Sequence, residues 1–123
     1  MPFHEHNQLR YYSFDIFSNV VTQAVFTRRG GVSPAPWHSL NLGGSVGDDP
    51  AHVVENRMRS FDALGRAPAS IHDVWLVHSA DIVYADAPRT LDHPSQRADI
   101  ILTDNPEVSL FMRFADCVPL LFH

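Results

Sequence analysis

Cysteine is nearly absent from the sequence, because Cys117 is the only one among 123 residues. A single cysteine excludes a disulfide within the chain and favours a protein of the reducing cytoplasm. No apolar run approaches the roughly 20 residues that a bilayer-spanning helix needs, and the first twelve residues lack the basic stretch and apolar core of a secretory signal. The sequence therefore predicts a cytoplasmic protein that has no membrane partner.

Positive charge is also scarce. The formal net charge is -5 and the isoelectric point is about 5.8, and apart from the adjacent Arg28 and Arg29 the basic residues are scattered. Domains that bind nucleic acids usually carry a basic patch and a high isoelectric point, so we exclude nucleic acid as a partner. The length suits one domain, covering residues 1–123.

The hydrophobic pattern predicts an α+β fold, with mixed β-sheet layers and at least one packed helix. The helix should start at Pro50, capped by Asp48 or Asp49, and end before Gly65. Residues 1–12 form either a loose start or a first short strand, and 74–84 form either one strand or two strands joined by a bulge. The remaining predicted strands are 20–27, 98–103, 108–114 and 118–122. The predicted core face of the helix comprises Val54, Met58, Phe61 and Leu64.

Glycine is concentrated in one place, since five of the six glycines fall within 18 residues of the segment 28–50. Loops longer than about 12 residues inside a compact domain are usually functional or mobile, and the absence of low complexity favours function here. Arg28 stands where a strand enters this loop. It is either a solvated surface charge or a cation beside exposed backbone N–H groups, an arrangement suited to an anion.

Two further residues interrupt apolar strands. Cys117 follows Asp116 and precedes a proline by two positions, which places its sulfur near a strand end. It is either a small buried hydrophobe or a displayed ligand or nucleophile. His78, within an apolar segment, is either bonded to the backbone or functional. No metalloprotease, Cys-x-x-Cys, nucleophile-elbow or P-loop motif occurs, so these residues alone specify no reaction.

Five segments in order carry a resemblance to a known family. The segments are 27–44 (TRRGGVSPAPWHSLNLGG), 55–57 (ENR), 77–83 (VHSADIV), 98–104 (ADIILTD) and 115–122 (ADCVPLLF). With these segments the sequence resembles the laccase-domain, or polyphenol-oxidase-like, family, whose members are also described as purine nucleoside phosphorylases and as a peptidoglycan editing factor. The resemblance covers about residues 20–123 and implies the N-terminal half of a larger domain, incomplete at its C-terminal end.

The resemblance implies a metal site. Family members bind zinc, with copper proposed for some, through two histidines and one cysteine. The matching residues here are His78 and Cys117, which we assign as catalytic residues and metal ligands, with zinc ranked above copper. The second family histidine belongs to a later motif absent from this sequence, and His123 does not match it. Leu76 and Ser79 replace the glutamine and glycine of the first motif.

The resemblance also implies a reaction, the phosphorolysis of purine nucleosides such as adenosine, inosine or methylthioadenosine, with deamination of adenosine as a companion activity. The expected partners are therefore a small-molecule nucleoside and phosphate. Arg28, with the backbone amides of Gly30 and Gly31, is expected to hold the phosphate. Ser39 and Asn41 are expected to orient the ribose or the base through hydrogen bonds.

Two alternatives remain at this point. A copper-dependent polyphenol oxidase ranks lower, because the sequence shows no further copper ligands. A non-catalytic fragment or binding module is favoured for the 123-residue chain itself by the missing histidine motif.

Two structural expectations follow. We expect His78 and Cys117 to converge in a cleft near the glycine loop, and we expect an exposed C-terminal strand, 118–122, to promote self-association.

Overall fold

The computed structural model describes residues 2–90 and 92–123. These residues form two compact units, one reaching up to Gly65 and including Pro119–His123, the other spanning Arg66–Val118. One α-helix and seven short strands occur in the described residues, which confirms the α+β fold. Among those residues, no helix combines the length and apolar character that a bilayer crossing requires.

The first unit begins with a three-stranded antiparallel sheet. Strands β1 (Phe3–His6) and β2 (Leu9–Tyr12) form a hairpin, and β3 (Val25–Phe26) pairs with β2. Asn7 and Gln8 make the hairpin turn and both have positive φ angles, 46° and 72°, as two-residue hairpin turns require. The N-terminal segment is therefore a hairpin and not a loose start.

The strand predicted at 20–27 is wrong over most of its length, because only β3 is extended and paired. A 3-10 helix, Asp15–Phe17, precedes it. The side chain of Gln23 accepts a hydrogen bond from the Phe14 N–H and donates one to the Phe14 carbonyl, both at 3.0 Å. A side chain thus satisfies the backbone groups that a longer strand would have paired.

Helix α1 (Pro50–Ala63) starts and ends as predicted. The Asp49 carboxylate accepts a hydrogen bond from the Ala51 N–H at 2.9 Å and caps the helix, and Gly65 has a φ of +63° just past its end. The predicted core face is wrong in part, because Val54 and Met58 are more than half exposed. The residues that α1 buries are Val53, Asn56, Ser60 and Phe61.

The second unit contains two parallel strand pairs. Strand β4 (Ile71–Asp73) pairs with β7 (Ser109–Phe111), and β5 (Ile82–Tyr84) pairs with β6 (Ile100–Leu102). Buried aliphatic residues between these elements form one core, with Leu76 and Met112 packed against it. The core residues are Val74, Val83, Ala85, Ala98, Ile101 and Val108.

Strand predictions in this part of the chain met different outcomes. The strands predicted at 98–103 and 108–114 are each shortened to three residues, those of β6 and β7. The continuous or bulged strand at 74–84 is wrong over most of its length, since residues 76–81 form a loop and only β5 at its end is a strand. The strand at 118–122 is wrong too: no strand partner for it exists among the described residues, and Val118, Leu120 and Phe122 are exposed.

Candidate functional site

The glycine loop of the first unit is attached to α1 by one buried amide. Asn56, which is 0% exposed, accepts a hydrogen bond through Oδ1 from the Val32 N–H at 2.8 Å. Its Nδ2 donates to Ser33 Oγ at 2.9 Å and to the Asn41 carbonyl at 2.8 Å. One side chain therefore fixes two separate parts of the loop, near residues 32–33 and at residue 41, against the helix.

A buried carboxylate completes this attachment. Asp48 Oδ2 accepts hydrogen bonds from Ser33 Oγ at 2.5 Å and from Asn41 Nδ2 at 3.0 Å, while its Oδ1 lies 3.2 Å from His52 Nδ1. Burial alone would raise the pKa of Asp48, but the hydrogen bonds from Ser33, Asn41, His52 and the Asp49 N–H lower this pKa to about 2. Asp48 is therefore an ionised acceptor at neutral pH that holds the loop.

Two glycines are needed because the backbone packs closely around them. A Cβ atom on Gly31 would lie 2.1 Å from the Ser39 carbonyl oxygen and 2.5 Å from the Leu40 Cα. Gly30 has a φ of +93°, and a Cβ there would lie 2.5 Å from the Gln8 carbonyl oxygen. Both glycines thus have a structural role, besides any contact with a ligand.

The loop and the β1–β2 turn enclose a cleft of about 470 Å³. Three of the five predicted substrate-binding residues line this cleft. Arg28 is exposed, and its Nε donates a hydrogen bond to the His38 carbonyl at 2.7 Å. Its two terminal guanidinium nitrogens have no hydrogen-bond partner among the described residues. The lining residues are Gln8, Arg28, Arg29, Gly30, His38 and Ser39.

Two predicted substrate-binding residues are not among those that line the cleft. The Gly31 N–H donates to Ser39 Oγ at 3.2 Å. The Asn41 side chain donates to Asp48 and to the Gly43 carbonyl, and accepts from the Gly43 N–H at 3.0 Å. Their polar groups are engaged within the loop, where they shape it.

The second unit holds His78 in an unusual backbone conformation. Its φ is +60°, in the left-handed region. The Asp99 carboxylate accepts hydrogen bonds from three successive N–H groups, those of Val77 at 3.1 Å, His78 at 3.0 Å and Ser79 at 2.8 Å, and from Ser79 Oγ at 2.9 Å. This clamp turns the chain out of an extended conformation, which is why the predicted strand at 74–84 is interrupted.

The Asp99 carboxylate is stabilised in its ionised form. The Ser79 N–H lowers its pKa most; partial burial opposes that effect, and the Val77 N–H, the Ser79 hydroxyl and the His78 N–H add to it. The resulting pKa of Asp99 is about 2. At neutral pH the Asp99 carboxylate that accepts the hydrogen bonds of residues 77–79 is therefore ionised.

The two predicted metal ligands both belong to the second unit and are both exposed. Asp116, directly before Cys117, also has a positive φ, 74°, and the Cys117 thiol is free. Within residues 2–90 and 92–123, no group of three His, Cys, Asp or Glu side chains is arranged to hold a metal ion. The convergence of His78 with Cys117 stays a prediction.

Sequence reasoning missed three of the residues that organise these segments. The sequence places Asn56 in the segment 55–57, offers Asp48 as a possible helix cap and places Asp99 in a strand, but it does not indicate their contacts with distant residues. A signal existed for Asn56, since a polar residue three positions after Val53 falls on the face of α1 that the structure buries. For Asp99 no local pattern indicated that a residue 21 positions from His78 would bind its N–H.

Similarity to known proteins identifies the family of the chain. The profile of the family described as "multi-copper polyphenol oxidoreductase laccase" matches residues 22–123. The chain belongs to this laccase-domain family. The proposed recognition from the five segments is thereby confirmed.

Curated relatives in the laccase-domain family bear phosphorylase names. A Streptomyces coelicolor protein named a purine nucleoside phosphorylase is 46% identical over 99 residues, 78% of this chain and 40% of its own length. A Pseudomonas aeruginosa protein of the same name is 44% identical over 104 residues, 83% of this chain and 39% of its own length. The chain thus spans about 40% of the length of these relatives.

A solved structure shows the same fold. The crystal structure of the hypothetical protein YfiH of Bacillus licheniformis superposes with a TM-score of 0.80 at 30% sequence identity. The match covers 94% of this chain and 45% of that one. YlmD of Geobacillus stearothermophilus gives a TM-score of 0.79 at 29% identity.

Proposed function

We propose that the laccase-domain protein to which this chain contributes is a purine nucleoside phosphorylase acting on adenosine, inosine or methylthioadenosine. The observation that carries the proposal is the cleft of the first unit, in which Arg28, Gly30 and Ser39 meet. The names of relatives that are 46% and 44% identical support it. The site is proposed as a place for phosphate beside a nucleoside.

The reaction needs an anion held against a sugar carbon that becomes cationic. A phosphate oxygen forms a bond to C1′ of the ribose while the bond from C1′ to the purine nitrogen breaks. The electron pair of that bond leaves with the purine, which then takes up a proton. Arg28 would orient the phosphate by charge-assisted hydrogen bonds. Ser39 would contact the ribose or base. Gly31 and Asn41 would act by shaping the loop.

For the metal, we propose that His78 and Cys117 supply two ligands of a zinc ion, with copper ranked lower. Imidazole nitrogen and thiolate sulfur suit zinc, but a catalytic zinc site needs three protein ligands, and the described residues contain no such group. Bound zinc would activate water, the chemistry that deamination of adenosine requires. We assign no step of phosphorolysis to the metal.

The activity belongs to a whole domain, so the test replaces the matching part of the Streptomyces coelicolor relative by residues 1–123. The unaltered relative is the positive control. We expect the purified chimera to convert inosine and phosphate into hypoxanthine and ribose 1-phosphate, with a rate that depends on phosphate concentration. A folded chimera that releases no hypoxanthine, while the unaltered relative does, would contradict the proposal.

The purified chimera also tests the two alternative functions, a polyphenol oxidase and a binding module. Oxidation of a phenol by the copper-loaded chimera, without phosphorolysis, would favour the polyphenol oxidase. Binding of inosine without turnover would favour a binding module.

We further propose a cytoplasmic location. Self-association through 118–122 also stays a proposal, resting now on exposed apolar side chains and not on a strand.

A further inference from the structure

Three residues that line the cleft, Gln8, Arg29 and His38, have no role in the proposal above. Arg29 and His38 both line it and are both exposed. In the part of the chain that the structure describes, neither the Arg29 guanidinium nor the His38 ring makes a hydrogen bond or an ion pair. The N–H of Gly30, which also lines the cleft, likewise has no hydrogen-bond partner among the described residues. Three residues that line one cleft thus carry donors without a partner among the described residues.

The charge in this space is opposite to that of the protein as a whole. Two arginines and a histidine are among the residues that line the cleft, and none of the described residues that line it is acidic. The sequence as a whole carries a formal net charge of -5. A cleft lined by charges of one sign focuses the field within it and attracts a small ion of the other sign.

We propose that Arg29 and His38 join Arg28 in binding a tetrahedral oxyanion of the inorganic phosphate class. This inference rests on the proposed function and deepens it, since it names the groups that bind the anion. Guanidinium groups present planar pairs of donors that match phosphate oxygens. An imidazole offers at least one N–H donor in every protonation state except the anion, and the Gly30 N–H adds another. All of these groups belong to the first unit.

The dimensions and overall charge favour a small anion over a polymer. A volume of about 470 Å³ lies within the range of small-molecule sites, about 300–1,000 Å³. Long polyanions such as DNA are bound through many phosphate contacts spread over a basic surface. The remainder of this acidic protein would repel such a polymer.

The test uses the 123-residue chain itself, labelled with ¹⁵N and titrated with sodium phosphate at pH 7. A parallel titration with sodium chloride keeps the ionic strength matched. We expect saturable shifts of the Gly30 and Ser39 amide signals with phosphate only. Arg29→Ala should weaken binding about tenfold and His38→Gln about threefold, as charge-assisted hydrogen bonds are lost.

The matched control is Arg97→Ala, which removes the same charge from an exposed arginine of the second unit. It should change affinity less than twofold, and the amide spectra report whether each variant is folded. Ribose 1-phosphate, tested in competition, distinguishes free phosphate from a phosphorylated sugar, because the natural occupant should bind more tightly. Displacement of phosphate by ribose 1-phosphate supports a single oxyanion site.

Different results would overturn the proposed role of Arg28 and the proposed roles of Arg29 and His38. If phosphate binds, and Arg28→Ala weakens it but Arg29→Ala and His38→Gln do not, this inference is overturned and the role of Arg28 stands. If phosphate binds and Arg28→Ala has no effect, the proposed role of Arg28 fails. Absence of saturable phosphate shifts, or displacement of phosphate only by an oligonucleotide, overturns the inference.

Discussion

At the scale of single residues, buried or half-buried polar side chains organise the parts of the chain to which we assign function. Asn56 and Asp48 tie the glycine loop to α1, and Asp99 fixes the backbone of residues 77–79. Asn56 and Asp99 bond mainly to backbone groups and Asp48 bonds mainly to side chains, and most of these partners are distant in sequence. The sequence allowed prediction of Arg28 and His78 as candidates because their settings are local. It did not reveal their supports, because those contacts depend on the tertiary fold.

The first prediction concerns Asn56. Asn56→Ala should lower the free energy of unfolding by about 3 kcal/mol, because the part-buried Val32 N–H and Asn41 carbonyl would lose their partner. Chemical denaturation with urea measures the change. Asn19→Ala, at an exposed turn position, is the matched control and should stay within about 0.5 kcal/mol. Equal stability of the two variants would refute this role of Asn56.

The second prediction compares two glycines of the same loop. Gly31→Ala should destabilise the protein by about 2 kcal/mol, since the new Cβ would lie 2.1 Å from the Ser39 carbonyl oxygen. A Cβ on Gly44 meets nothing within 4 Å, so Gly44→Ala should be neutral or slightly stabilising. Thermal unfolding followed by circular dichroism decides between them, and similar melting temperatures would count against the close packing described at Gly31.

The third prediction is a pH dependence of stability. The folded-state pKa values of Asp48 and Asp99, about 2, lie below the ordinary 3.8. Between these values the unfolded chain binds protons that the folded chain does not, so the stability from both carboxylates is present above about pH 5 and is lost as pH falls towards 2. Urea unfolding measured from pH 7 to pH 2.5 should show this decline.

Asp48→Asn separates the contribution of this carboxylate. The variant should be less stable at pH 7 but should lose less stability on acidification than the parent. Asp81→Asn is the control, because Asp81 is exposed and its carboxylate has no hydrogen-bond partner among the described residues. An Asp48→Asn variant with the full acid decline would show that another group causes it.

At the scale of elements, the capping residues at the two helix ends predicted the bounds of α1 better than its apolar pattern predicted the buried face. The Asp49 cap, Pro50 and Gly65 located α1 because capping is local chemistry. The predicted apolar face failed at Val54 and Met58 because the helix packs against a loop rich in backbone polar groups, which requires Asn56 on the buried side. Strands were overpredicted for a related reason. β-branched segments become strands only where a partner strand exists.

The fourth prediction tests the orientation of α1 with one substitution at two adjacent positions. Val53 is 4% exposed and Val54 is 57% exposed. Val53→Ala should cost about 2 kcal/mol of unfolding free energy through lost apolar burial, whereas Val54→Ala should change it by less than about 0.5 kcal/mol. Chemical denaturation of both variants provides the comparison. A larger loss at Val54 would restore the face that the sequence pattern predicted.

At the scale of the whole molecule, the residues to which we propose chemical roles are divided between the two units. The arginine cleft belongs to the first, and His78 and Cys117 belong to the second. The α+β class and the family followed from the sequence, because five motif segments in order are specific. The cleft could not be predicted from the sequence, because only folding brings Gln8 of the hairpin turn next to the loop residues.

The central claim is that Arg28 holds phosphate during phosphorolysis, and its most direct test is the dependence of the rate on phosphate. In the chimera that carries residues 1–123, Arg28→Ala should lower kcat/KM for phosphate more than tenfold while zinc content and melting temperature stay unchanged. Arg97→Ala, with the same loss of charge, should leave kcat/KM for phosphate within twofold of the parent. An Arg28→Ala enzyme whose rate at subsaturating phosphate equals that of the parent would contradict the account.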